Sequence, residues 1–132
     1  MTEQREWLEK AEQSLRGAES EFANQRYDNA ANRAYYACFQ AAIAALIAAG
    51  EHPLAGKGTR SHSAIQAMFA AQLIHRRKIY PADLAAFLPN TYSLRDQADY
   101  TPLITSEAEA KRALDKAHRF VTVVSRRIKG GK

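Results

Sequence analysis

A chain of 132 residues, 46% hydrophobic and 25% charged, has the size and apolar content of one compact domain and excludes a disordered or fibrous class. The net charge of +5 is unevenly placed, −3 over residues 1–28 and +8 over residues 29–132. A basic body suits an anionic partner such as nucleic acid or an acidic protein face, although solvated basic ends alone explain it equally well. The one cysteine, Cys38, makes no intramolecular disulfide, so a reducing, cytoplasmic setting is expected. The opening MTEQREWLEK is too polar for a signal peptide.

The first predicted helix starts with Thr2 as N-cap and Glu3 and Glu6 in its first turn. Trp7, Leu8, Ala11, Leu15, Ala18 and Phe22 recur at three- and four-residue steps, and the pattern fades at Asn24-Gln25-Arg26. A second helix begins near Asp28 and stops at Gly50. Its alanines permit close backbone approach, and it is apolar nearly all round, so it belongs at the centre of a bundle. It is too short, too alanine-rich and too interrupted by Gln40 to span a membrane.

The glycine-rich stretch 50–60 reads as a flexible loop. Ser61 caps a third helix through Arg77, with Ile65, Met68, Phe69 and Leu73 facing inward. Pro81 sits in the first turn of a fourth helix, which Pro89 should kink or break in two. The last helix opens with a Ser106/Glu109 capping box, runs to Ile128, and leaves 129–132 as a tail. No segment alternates with period two and no repeat is visible. The expected fold is all-α: about five helices in an antiparallel bundle, with residues 1–132 as a single domain.

The four histidines, His52, His62, His75 and His118, are scattered, and neither His-Glu-x-x-His nor Glu-x-x-His occurs, so no metal site and no cofactor are expected. Gly-rich phosphate loops and Gly-x-Ser-x-Gly are absent as well. Two polar groups remain: Arg33-Ala-Tyr-Tyr on the second helix, and Leu94-Arg95-Asp96-Gln97-Ala98-Asp99-Tyr100 at the end of the fourth. Arg95 and Asp99 are four apart and can pair; alone, this spacing reads as a surface ion pair worth well under ~1 kcal/mol. Alone, too, one of Tyr35 and Tyr36 reads as core and the other as its cover.

Taken together, Asn32-Arg33-Ala34-Tyr35-Tyr36-Ala37, then Ser61-His62, then Leu94-Arg95-x-x-Ala98-Asp99-Tyr100 resemble the HEPN superfamily, in particular its small prokaryotic single-domain branch. The resemblance implies an antiparallel helical bundle that forms a homodimer. It also implies a metal-independent endoribonuclease of a toxin–antitoxin or defence module, with a nucleotidyltransferase-type antitoxin as partner. Active members carry Arg, four to six residues, then His; the Arg stabilises charge on the phosphate and the His moves protons as the ribose 2′-hydroxyl attacks.

This chain departs from that pattern. Asp99 stands four residues after Arg95, and Gln40 stands seven after Arg33. Arg112 and His118 fit the spacing, but on a helix they point to different sides. The candidate catalytic residues are therefore Arg95, Asp99 and His62, with Asp99 orienting Arg95 or Tyr100 rather than acting as a base. Arg33, Tyr36 and Tyr100 are the candidate substrate-binding residues, the tyrosines for stacking a base. Two readings stand: a component that engages RNA or a nucleotide, and a non-catalytic module whose polar cluster fixes the bundle or docks a nucleotidyltransferase.

Overall fold

The computed structural model describes residues 2–54 and 61–130. Five helices follow one another: α1 (Glu3–Ala23), α2 (Tyr27–Ala48), α3 (His62–Met68), α4 (Asp83–Tyr100) and α5 (Glu107–Gly130). There is no strand among the described residues, so the fold is the all-α bundle expected. None of these helices is long and apolar enough to cross a membrane. The short turn at Asn24–Arg26, where Gln25 takes a φ of 63°, folds α2 back along α1.

Helix α2 packs against α1, α4 and α5. Every residue from Ala41 to Leu46 is buried, which no amphipathic surface helix allows. Methyl side chains at Ala34, Ala37, Ala41, Ala42, Ala44 and Ala45 let its neighbours approach closely. Larger residues then fill the space between helices. Leu8 and Leu15 come from α1, Leu84 and Leu88 from α4, and Phe120 and Val124 from α5. Each such side chain contributes ~1.5–3 kcal/mol by leaving water. Cys38 lies fully buried in this core, and burial pushes its thiol up to about 12, so it is an inert apolar residue at neutral pH.

The ends of the helices largely follow their sequence cues. Gly50, with a φ of +87°, closes α2: its N–H donates to Ile47 O and the next N–H, of Glu51, donates to Leu46 O. That pair of bonds is the glycine-ended helix stop. Ser61 caps α3 through Ala64 N–H, and Ser106 and Glu109 cap α5 reciprocally. Thr2, by contrast, takes part only through its carbonyl, which accepts from Arg5 and Glu6, and its side chain makes no capping bond.

The expected third helix is two pieces, because α3 runs on into a π-helical stretch, Phe69–Arg76. The wider winding lets the consecutive residues Leu73 and Ile74 both reach the core. Pro89 does not break α4, which is continuous around it. The proline is exposed, so its ring projects away from the core, and the helix loses one hydrogen bond but none of its packing. Pro81 stands just ahead of α4, its carbonyl accepting from Leu84. Of the expected loop over 50–60, residues 55–60 lie outside the described residues. Of the expected tail over 129–132, Lys129 and Gly130 belong to α5 and 131–132 lie outside the described residues.

Candidate functional site

Three helix ends converge beside the polar half of α2. The N-terminal turns of α2 carry Asn32, Arg33, Tyr35 and Tyr36. The first residue of α3 is His62, and the C-terminal half of α4 brings Tyr92, Arg95, Asp96, Asp99 and Tyr100. Helical periodicity sets the α4 group: Tyr92, Arg95, Asp96 and Asp99 lie at three- and four-residue steps and so share one face.

Arg95 is the centre. It is only 6% exposed, among the few charged or polar residues in the core. The expectation of a surface ion pair is therefore wrong for this residue, because the face of α4 that carries it lies against α2 and α3. Four tyrosine rings surround its guanidinium carbon: Tyr92 at 5.1 Å, Tyr35 at 5.5 Å, and Tyr36 and Tyr100 at 5.7 Å. Two carboxylates reach it at the rim, Asp96 at 3.2 Å and Asp99 at 3.7 Å. Burial works against its charge, but Tyr36, Asp96, Tyr100 and Asp99 outweigh it, so the guanidinium stays charged. Among the described residues its buried Nε has no hydrogen-bond partner. Such an orphan costs ~1–3 kcal/mol or more for a charged group, so the arginine is held here against part of its own energetics.

The rim is tied together by Asn32, whose Nδ2 donates to Asp99 at 2.8 Å while its Oδ1 accepts from Arg33 Nε at 3.1 Å and Nη2 at 2.9 Å. Arg33 also lies over the Tyr36 ring at 5.2 Å. Arg33 therefore joins the cluster through Asn32 and Tyr36 rather than by meeting Arg95. Tyr100 forms the outer edge, 74% exposed.

His62 completes the group. Its ring lies 5.3 Å from Tyr35, 6.0 Å from Tyr36 and 5.3 Å from Tyr92, three of the four rings that surround Arg95. The Tyr35 hydroxyl is 2.5 Å from His62 Nδ1. Burial, with the Arg95 charge beside it, holds the imidazole below its ordinary pKa, and Asp96 opposes them. Burial raises the Tyr35 phenol well above the ordinary tyrosine value, against the smaller effects of Gln66 and Arg95.

All six residues singled out from the sequence thus fall in one patch. Tyr35, Tyr92 and Asp96 belong to it too and were not singled out as site residues. Tyr35 was expected as core or cover, and it is indeed fully buried, but with its hydroxyl on His62. Tyr92 and Asp96 were legible in principle as neighbours of Arg95 on its own helix face. Gln40 lies elsewhere, hydrogen-bonded to Ser14 of α1 at 2.7 Å, and His118 is an exposed residue of α5. Among the described residues, no three His, Cys, Asp or Glu side chains are grouped to hold a metal ion.

Comparison with known proteins identifies a family. The HEPN domain model matches residues 4–128. A protein of Methanocaldococcus jannaschii named "Putative toxin MJ0605" is 30% identical over 125 residues, covering 92% of this chain and 86% of that one. A Thermotoga maritima protein named "UPF0332 protein" is 28% identical over 123 residues, covering 92% and 88%.

Proposed function

Because this chain belongs to the HEPN domain family, we propose that it is a toxin-like protein that engages single-stranded RNA at the Arg95–His62 cluster and cleaves it without a metal. Three things support the reading: the family, the relative named as a toxin, and the basic body of residues 29–132. One observation carries it. Arg95 is buried beside His62 under four tyrosine rings, with its carboxylates only at 3.2 and 3.7 Å, a costly place for a charge that stability alone does not explain.

In this reading Tyr100 and Tyr36 stack a base at the rim, and Arg33 meets the adjoining phosphate. Arg95 faces the reacting phosphate, with Asp96 and Asp99 orienting its guanidinium. The 2′-oxygen bonds to phosphorus as the phosphorus–5′-oxygen bond breaks. A proton leaves the first oxygen and one arrives on the second, giving a 2′,3′-cyclic phosphate and a 5′-hydroxyl. Arg95 stabilises the charge that gathers on the phosphate oxygens, and His62 contacts them beside it. The protein acts as a homodimer and as one half of a toxin–antitoxin or defence pair, its partner a nucleotidyltransferase-type antitoxin.

A second reading keeps the family and drops the reaction. Asp96 and Asp99 already face Arg95 at 3.2 and 3.7 Å, so the cluster carries little net positive charge, and it then serves to fix the bundle or dock the nucleotidyltransferase. The test is incubation of RNA with purified protein in EDTA, beside Arg95→Ala and His62→Gln. Cleavage to 2′,3′-cyclic phosphate ends that both variants lose is the result expected. No cleavage by folded wild-type protein refutes the first reading and leaves the second.

A further inference from the structure

We propose that Tyr35 is a positioning residue: its hydroxyl donates to His62 Nδ1, which fixes the imidazole as the neutral tautomer with its hydrogen on Nε2 and makes His62 a hydrogen-bond donor rather than a base. The role toward substrate rests on the RNA reading above; the tautomer does not. The contact itself is short and part-buried. The Tyr35 hydroxyl lies 2.5 Å from Nδ1, and the Tyr35 side chain is fully enclosed, leaning on Phe39 at 5.6 Å and on Tyr92 and Tyr36 at 5.3 Å.

A bond between a phenol and an imidazole nitrogen can be made in three ways: the phenol donates to a bare Nδ1, a neutral imidazole donates from Nδ1 to the phenol oxygen, or the proton passes to histidine and leaves a phenolate. The second needs another acceptor for the phenol hydrogen, and among the described residues the Tyr35 hydroxyl bonds to no side chain but His62. The surroundings decide. Burial disfavours a charge on either ring, raising the phenol and lowering the imidazole. Arg95 adds to the effect on His62, and Asp96, which opposes it, is weaker. The other rings facing the imidazole, Phe39, Tyr36 and Tyr92, bring no carboxylate or basic side chain. His62 is also the first residue of α3, where the positive end of the helix works against an imidazolium. Tyr35 therefore keeps its proton and gives the hydrogen bond, and the one remaining imidazole hydrogen sits on Nε2.

The consequence reaches the chemistry. An imidazole with its hydrogen on Nε2 and its Nδ1 occupied has no free lone pair with which to take the 2′-hydroxyl proton. It can instead donate to a phosphate oxygen alongside Arg95, adding a neutral donor where two cations side by side would repel. This departs from the proton-moving role that the family resemblance implies for a histidine.

The measurement is the pair of His62 ring-nitrogen chemical shifts of the full-length protein, from long-range proton–nitrogen correlation spectra across pH. The result expected is Nδ1 as the unprotonated acceptor, Nε2 as the protonated nitrogen, and a titration midpoint below the ordinary histidine value. Tyr35→Phe keeps the ring and removes the donor; its midpoint should rise by roughly half a unit or more and its tautomers should mix. A wild-type His62 protonated on Nδ1, or a Tyr35→Phe protein with an unchanged tautomer and midpoint, overturns the proposal. If Tyr35→Phe fails to fold, the wild-type tautomer decides alone. Should the nitrogen shifts come out as expected while RNA is left intact, Tyr35 still sets the tautomer and the RNA reading is what fails.

Discussion

Two arginines of this protein meet carboxylates in opposite ways. Arg119 on α5 holds Asp83 of α4 with two good bonds, 2.6 and 3.0 Å, and both side chains stand nearly half exposed. Arg95 holds Asp96 and Asp99 at 3.2 and 3.7 Å, yet its own side chain is 7% exposed. The better geometry thus sits where water makes it worth little, and the poorer geometry where a charge is most expensive. A bundle optimised for stability alone would reverse them. The difference supports the proposal that Arg95 is held for something other than stability.

The sharpest way to break the contrast is Arg95→Ala. Loss of RNA cleavage by at least ~100-fold is expected, with the helical circular-dichroism signal kept at ambient temperature. Denaturant unfolding should show a loss of about 1–3 kcal/mol, since the change empties a cage of four rings and leaves two carboxylates without their cation. Asp99→Asn is milder. It weakens the hold on Arg95 and unsettles the Asn32 bridge, so cleavage should fall roughly 10-fold while stability moves by less than ~1 kcal/mol. Arg119→Ala, the control on the exposed side, should cost at most ~1 kcal/mol and leave RNA cleavage untouched.

A pH series sharpens the comparison from the histidine side. His62 has its folded pKa lowered by burial and Arg95, so below its ordinary value of about 6.5 the unfolded chain binds a proton that the folded chain resists. Its contribution to stability is complete above that pH and declines as the pH falls toward the folded pKa. Unfolding free energies of wild type and His62→Gln should therefore diverge in slope below about pH 6.5 and run parallel above it. Parallel curves throughout would place His62 in ordinary solvent.

The fold was readable in the sequence because its cues are local. The Gly50 stop, the Ser61 cap and the Ser106/Glu109 box each act within one turn, and the alanine pattern of α2 announces a helix covered on all sides. The continuity of α4 through Pro89 and the π-helical stretch share a reason that the sequence does not show: packing against the rest of the bundle overrides what a single residue or a regular period prefers. The candidate site was readable as a set of residues but not as an arrangement. A spacing of four between Arg95 and Asp99 says that they meet, and nothing in that spacing says whether they meet in water or beneath four tyrosines. Tyr35 shows the same limit. Its burial was one of two expected outcomes for the Tyr35-Tyr36 pair, but its hydroxyl bond to His62 joins residues on two helices and leaves no periodic trace.

The most direct test of the central claim is Arg95→Met, with unfolding free energy and RNA cleavage measured on the same preparation. Methionine fills the cage without a charge. If Arg95 is kept for function, the variant should be as stable as wild type or more so, and inactive on RNA. A variant that is several kcal/mol less stable and still cleaves RNA at the wild-type rate would make Arg95 a structural residue and contradict the account.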